Sequence, residues 1–144
     1  MSYSQLYAHF VWATWERAPL ISSQFEQALW SAIAAQCRTL GAQPIRVGGM
    51  PDHVHVLTSF PATLALSKLA ATMKGASSHL VSHVLAPGRA FKWQDGYGVF
   101  TLRKSDVPTV AAYVIRQRQH HSAHAAIEEW EPIAKMTSAA TPAG

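Results

Sequence analysis

The hydrophobic residues between positions 4 and 115 switch repeatedly between a period of two and a period near 3.6, and the order of those switches restricts the fold more than any other feature. QLYAHFVWATW, residues 4–14, is rich in aromatic and β-branched types with partial alternation and predicts a strand. Ser23 followed by Glu26 predicts a capping box, after which Phe25, Leu29, Ile33, Cys37 and Leu40 recur at helical spacing until Gly41. Residues 43–48 and 54–60 predict two strands joined as a hairpin around GGMPD. Past Pro61, Leu66, Leu69, Met73, Leu80 and Val84 mark an amphipathic helix over 63–85 that APGR ends. YGVFTLRK, residues 97–104, predicts a last strand, and SDVP opens a last helix with Val107, Val110, Ala111, Val114 and Ile115 as its apolar stripe.

The order β-α-β-β-α-β-α predicts an α+β domain of the ferredoxin-like split βαβ type, an antiparallel sheet with helices on one face plus an added C-terminal helix. A chain of 144 residues can bury such a core as a single domain, expected over 1–131, with the small, polar, proline-interrupted residues 132–144 as a disordered tail. No run is apolar enough to span a membrane, the first residues lack a secretory signal, and the lone Cys37 lies on an apolar helix face. A reducing, cytoplasmic setting without disulfides or membrane partners is expected. Net charge is +4, but Glu128, Glu129 and Glu131 crowd the C-terminal end; residues 1–125 hold eleven Lys/Arg against five Asp/Glu, or +6, which favours polyanionic partners. The fold itself hosts many functions, so the side chains must decide.

On a strand, His53 and His55 of PDHVHVL point to one face while Val54 and Val56 point to the other, so the two imidazoles can converge on one ion. The same spacing also suits two histidines on a solvated sheet face. In the last helix Tyr113 and Gln117 lie four apart on one face, continued by His120 and His124, with the apolar stripe facing elsewhere. The eight acidic residues offer no cluster on converging elements, apart from Asp52 beside the histidines, for a carboxylate-bound two-metal site.

PDHVHVL, WQDGYGVF and YVIRQRQHH, in that order and with KGASS on the second helix, resemble the single-tyrosine HUH transposases of bacterial insertion sequences, the IS200-like family, to which REP-associated tyrosine transposases are related. The likeness runs from the first strand to about His124. It implies that His53, His55 and Gln117 are metal ligands and Tyr113 is the nucleophile, with His120, His121 and His124 open as alternatives to Gln117. It further implies a DNA transposase that cleaves and rejoins single-stranded DNA through a covalent phosphotyrosine, recognises hairpins at element ends and works as a homodimer with shared active sites. Two histidines and a glutamine are neutral, so a bound Mg²⁺ or Mn²⁺ would keep its full charge for a DNA phosphate. Lys68, Lys74, Gly75 and Ser78 on the second helix, with Arg46 and Arg103, are candidate DNA contacts; Trp93 or Tyr97 could stack on bases, and Trp93 could equally plug the edge of the core. A reading from another class, a nucleic-acid binder without catalysis or a domesticated relative, suits the basic body equally; it does not require Tyr113, Gln117 and both histidines together.

Overall fold

The alternation of side chains along the first strand decides how the molecule is layered. The structure, a computed structural model, describes residues 3–116. Its elements are β1 (Tyr7–Ala13), α1 (Glu26–Thr39), β2 (Gln43–Met50), β3 (His53–Ser59), α2 (Leu66–Leu80), β4 (Gly98–Leu102) and α3 (Val107–Ile115). The four strands form one antiparallel sheet in the order β2-β3-β1-β4, so each βαβ unit is split by an intervening strand, as the element order predicts. Among the described residues no helix is long and apolar enough to cross a membrane.

Phe10 and Trp12 of β1 pair with Val56 and Val54 of β3 and point to the face covered by α1 and α2. There they pack with Leu29, Ile33, Leu69 and Met73 into the main core. Cys37 is part of this core, fully buried with its thiol pushed up to about 11 by burial, which makes it an inert packing group. His9, Val11 and Ala13 occupy the alternate positions and therefore line the other face, opposite Leu57, His55 and His53. That second face is where α3 lies: Val110 and Val114 close on Leu57 as a small separate cluster.

Several predicted details take a different form. The start of α1 is shifted from the predicted Ser23 cap: the amides of Phe25 and Glu26 both donate to the Ser22 carbonyl, and α1 begins at Glu26 with Phe25 at the N-cap position. At its other end Gly41, at φ +84°, lets its own amide reach Arg38 and that of Ala42 reach Cys37, the paired bonds of a Schellman motif. The second helix is α-helical only to Leu80 and widens into a π-type turn over Val81–Leu85.

Gly48 sets how close α3 can come. It pairs with His55 across the hairpin, and a Cβ there would lie 3.0 Å from the Val114 carbonyl oxygen and 3.4 Å from its Cγ1. In an open strand Gly→Ala would be stabilising by up to about 1 kcal/mol. Here Gly48→Ala presses on helix backbone, so we expect the opposite sign, a loss of about 1–2 kcal/mol read as a lower Tm. An unchanged or raised Tm would show that α3 is not seated against this strand.

Candidate metal and tyrosine site

The hairpin that carries the two histidines is held by the turn before them. Pro51 and Asp52 form its tight turn, and β3 starts at His53, so His53 and His55 both project onto the α3 face. They are 1% and 0% exposed, which removes the alternative of two histidines on a solvated sheet face. Their rings lie edge to face with centroids 5.2 Å apart. His53 donates Nδ1–H to Asp52 Oδ1 at 2.7 Å; a carboxylate can only accept, so the lone pair of His53 is on Nε2.

Asp52 is itself anchored. Arg17 donates to its Oδ2 from Nε at 3.1 Å, and the ion pair places Nη2 3.0 Å from the same oxygen. Glu16 and Arg17 adopt left-handed φ values of 53° and 55°, a strained turn for residues with side chains, and it is this turn that brings the guanidinium to Asp52. Burial alone would raise the Asp52 pKa, but the hydrogen bond from His53 and the guanidinium of Arg17 outweigh it, and the carboxyl stays below the usual carboxylate range. Because its folded pKa is depressed, the stability it adds is complete above the unfolded value near 4 and is lost as pH falls through the folded one. Replacing Asp52 with asparagine keeps the shape but lets His53 take either tautomer, so we expect metal affinity in the presence of DNA to fall about 10–100-fold. A change under threefold in a manganese titration would contradict that role.

Tyr113 differs from its expected position on the polar side of the last helix. It is 2% exposed, and its ring meets His55 edge-on with centroids 5.7 Å apart. The physical reason is that α3 lies along the sheet, so Tyr113, which flanks Val110 and Val114 on the helix surface, also turns towards β3, while Ile115 of the predicted apolar stripe is left 62% exposed. Gln117, His120, His121 and His124 lie outside the described residues. Among the described residues, no three His, Cys, Asp or Glu side chains converge to hold an ion. What they offer is a pair of neutral imidazoles, a donor set suited to a divalent cation that takes its remaining ligands from elsewhere.

The candidate DNA contacts do not all gather round this pair. Lys68, Lys74, Gly75 and Ser78 are on α2, behind the sheet. Lys68 and Gly75 are exposed, and a Cβ at Gly75 would meet open space. The Lys74 ammonium is half-buried and donates to the carbonyls of Gln94 and Gly96 at 2.8 Å each, so it pins the loop before β4; burial also lowers its pKa. That loop returns to the site, since the Gln94 amide donates to Ala13 at the end of β1. Arg46 is exposed on edge strand β2, and Arg103, 84% exposed, pairs with Asp106 at 3.6 Å. Trp93 is a core residue rather than a base-stacking one: it is 5% exposed, stands edge-on to Trp12 and donates Nε1–H to Ser77 at 2.9 Å. Tyr97 is half-buried, its ring 6.2 Å from that of Phe10.

Sequence reasoning missed His9 and Arg17. His9 is 2% exposed, and its Nε2 is 2.8 Å from His55 Nδ1. Its alternation with Val11 and Ala13 was a local signal of the face it occupies, but only the β1–β3 register brings it to His55.

Sequence and structure comparisons bear on the family and the fold. The family described as "Transposase IS200 like" matches residues 2–117. A crystal structure of a Deinococcus radiodurans protein provisionally named a transposase superposes with TM-score 0.65 at 21% identity, over 81% of this chain and 93% of that one. A REP-associated tyrosine transposase bound to a REP hairpin superposes with TM-score 0.60 at 20% identity, over 84% of this chain and 74% of the other. At these identities the likeness is one of fold. Among curated proteins none matches in sequence.

Proposed function

Since the chain belongs to the IS200-like transposase family, we propose that it cuts and rejoins single-stranded DNA through a phosphotyrosine formed on Tyr113, with a divalent cation held by His53 and His55. The observation that carries this reading is the contact of the Tyr113 ring with His55, itself beside His53, on one buried sheet face. A non-catalytic nucleic-acid binder has no use for a phenol and two oriented imidazoles in that place.

A phenol with pKa about 10 is a weak nucleophile near neutrality, so its position must do much of the work. Tyr113 is held by α3, which Gly48 seats against the sheet. Its oxygen attacks the phosphorus of the scissile phosphodiester, one bridging P–O bond breaks, and the departing deoxyribose oxygen takes up a proton while the phenol loses one. Rejoining is the reverse step: a hydroxyl of another DNA end attacks, and the tyrosine oxygen leaves. The bond energy is kept in the phosphotyrosine, so no nucleotide cofactor enters. Mg²⁺ or Mn²⁺, when bound, supplies charge stabilisation on the phosphate oxygens. His53 and His55 would hold it through their Nε2 atoms, and Gln117 or a later histidine is the proposed third ligand.

The REP hairpin seen with the structural relative supports hairpin-shaped single strands as the substrate class. Arg46, Arg103, Lys68 and the α2 surface around Gly75 and Ser78 are the proposed backbone contacts. A homodimer with shared active sites remains the proposed assembly; within the single chain the Tyr113 ring already meets His55. The test is incubation of end-labelled hairpin DNA, taken from sequence flanking the gene, with protein and Mn²⁺, with and without chelator, followed by a denaturing gel. A shortened strand and a protein-linked strand that both vanish with chelator are expected. Binding with no cleavage under any divalent cation would favour the binder.

A further inference from the structure

Both candidate ligand imidazoles have their inner nitrogen engaged, but by partners of different chemistry. Asp52 can only accept, which fixes His53 with its proton on Nδ1. The partner of His55 is another imidazole, His9, with 2.8 Å between His9 Nε2 and His55 Nδ1 and ring centroids 5.0 Å apart. Two neutral arrangements satisfy that contact. In one, His55 donates Nδ1–H to His9, whose own proton is on Nδ1, and the lone pair of His55 is on Nε2. In the other, His9 donates Nε2–H to His55, whose proton is then on Nε2, where it blocks a cation.

Resting on the ligand reading above, we propose that His9 is a positioning residue that accepts the Nδ1 proton of His55 and so holds His55 as a metal ligand through Nε2. The burial explains why an imidazole stands at position 9. A carboxylate there would be a charge at 2% exposure, whereas Asp52 is 28% exposed and neutralised by Arg17. With a neutral acceptor behind one ligand and a compensated carboxylate behind the other, neither partner subtracts from the cation's charge toward a DNA phosphate. The contact also fixes the ring plane of His55, which is the surface that Tyr113 meets.

The first test needs no variant: ¹⁵N NMR of the histidine side chains in the metal-free, DNA-free protein at neutral pH. It is expected to show His55 protonated on Nδ1 and His9 also on Nδ1; a His55 proton on Nε2 would overturn the proposal. The second uses the Tyr113→Phe background, where cleavage plays no part, and measures Mn²⁺ affinity by electron paramagnetic resonance with hairpin DNA present. His9→Leu keeps bulk and removes the acceptor, and is expected to weaken Mn²⁺ about 10–100-fold. His9→Gln puts a neutral amide oxygen within reach and is expected to stay within about threefold of the parent. Leu and Gln variants of equal affinity would show that His9 only fills space. The two readings fail separately: absence of a covalent DNA adduct from the wild-type chain with these results intact sinks the enzyme but not the role of His9, and normal Mn²⁺ binding by the His9→Leu, Tyr113→Phe chain while the wild-type chain cleaves sinks only the latter.

Discussion

Replacement of Tyr113 with phenylalanine is expected to abolish the protein-linked strand while leaving the fold and DNA binding in place. The ring is what packs: it is buried and edge-on to His55, and phenylalanine keeps both features. Only the hydroxyl is lost, so the stability change is expected within about 1 kcal/mol. Removing a covalent nucleophile typically lowers the rate by about 10⁴-fold or more, which here means no detectable cleavage. Mixing this variant with a His55→Ala chain tests the sharing of sites: recovered cleavage would show that α3 completes the site of a neighbouring subunit, and no recovery would show that each chain carries its own. Adduct formation at wild-type levels by Tyr113→Phe would move the nucleophile to another residue.

Loss of either imidazole is the second large effect. His55→Ala removes one of two nitrogens available to the cation and also leaves His9 without its acceptor or donor partner, while His53→Ala strands Asp52 and Arg17 against an empty volume. We expect cleavage to fall on the order of 10³-fold in each, with Mn²⁺ binding in the DNA complex lost in parallel. Both residues are fully buried, so folding must be followed by circular dichroism; a variant that folds, binds hairpin DNA and still cleaves at a tenth of the parent rate would exclude that histidine as a ligand. If the proposed neutral ligands hold the cation, Mg²⁺ is expected to bind weakly to the protein without DNA, because a DNA phosphate would supply the missing negative charge.

Much of this was legible in the sequence because the information is local. Alternation in YAHFVWA and HVHVLTS, helical spacing from Leu29 to Cys37, and the proline that opens α3 each determine an element from neighbouring residues. The pairing of His53 with His55 is of the same kind, since it needs only a strand. What the sequence hid depends on contacts between distant segments. His9 becomes part of the site through a register that sets it two residues beyond the partner of His55. Tyr113 looks polar-faced on a helical wheel yet is buried, because α3 lies flat on a sheet face rather than at its edge. Lys74 reads as a free cation until the loop it pins, at Gln94 and Gly96, is seen to pass beside it. For Trp93 the sequence leaves base stacking and core packing open, and Trp12 and Ser77, from distant segments, decide for the core.

The central claim is that the phenol on α3 and the imidazoles on β3 act on the same phosphodiester, and peptide mapping of the trapped complex tests it most directly. Hairpin DNA incubated with wild-type protein and Mn²⁺ is digested with nuclease and trypsin and read by tandem mass spectrometry. The account predicts a nucleotide mass on Tyr113, present with metal, absent with chelator and absent from the His53→Ala and His55→Ala chains. A nucleotide on any other residue, or one on Tyr113 that forms equally well without metal and without the histidines, would contradict it.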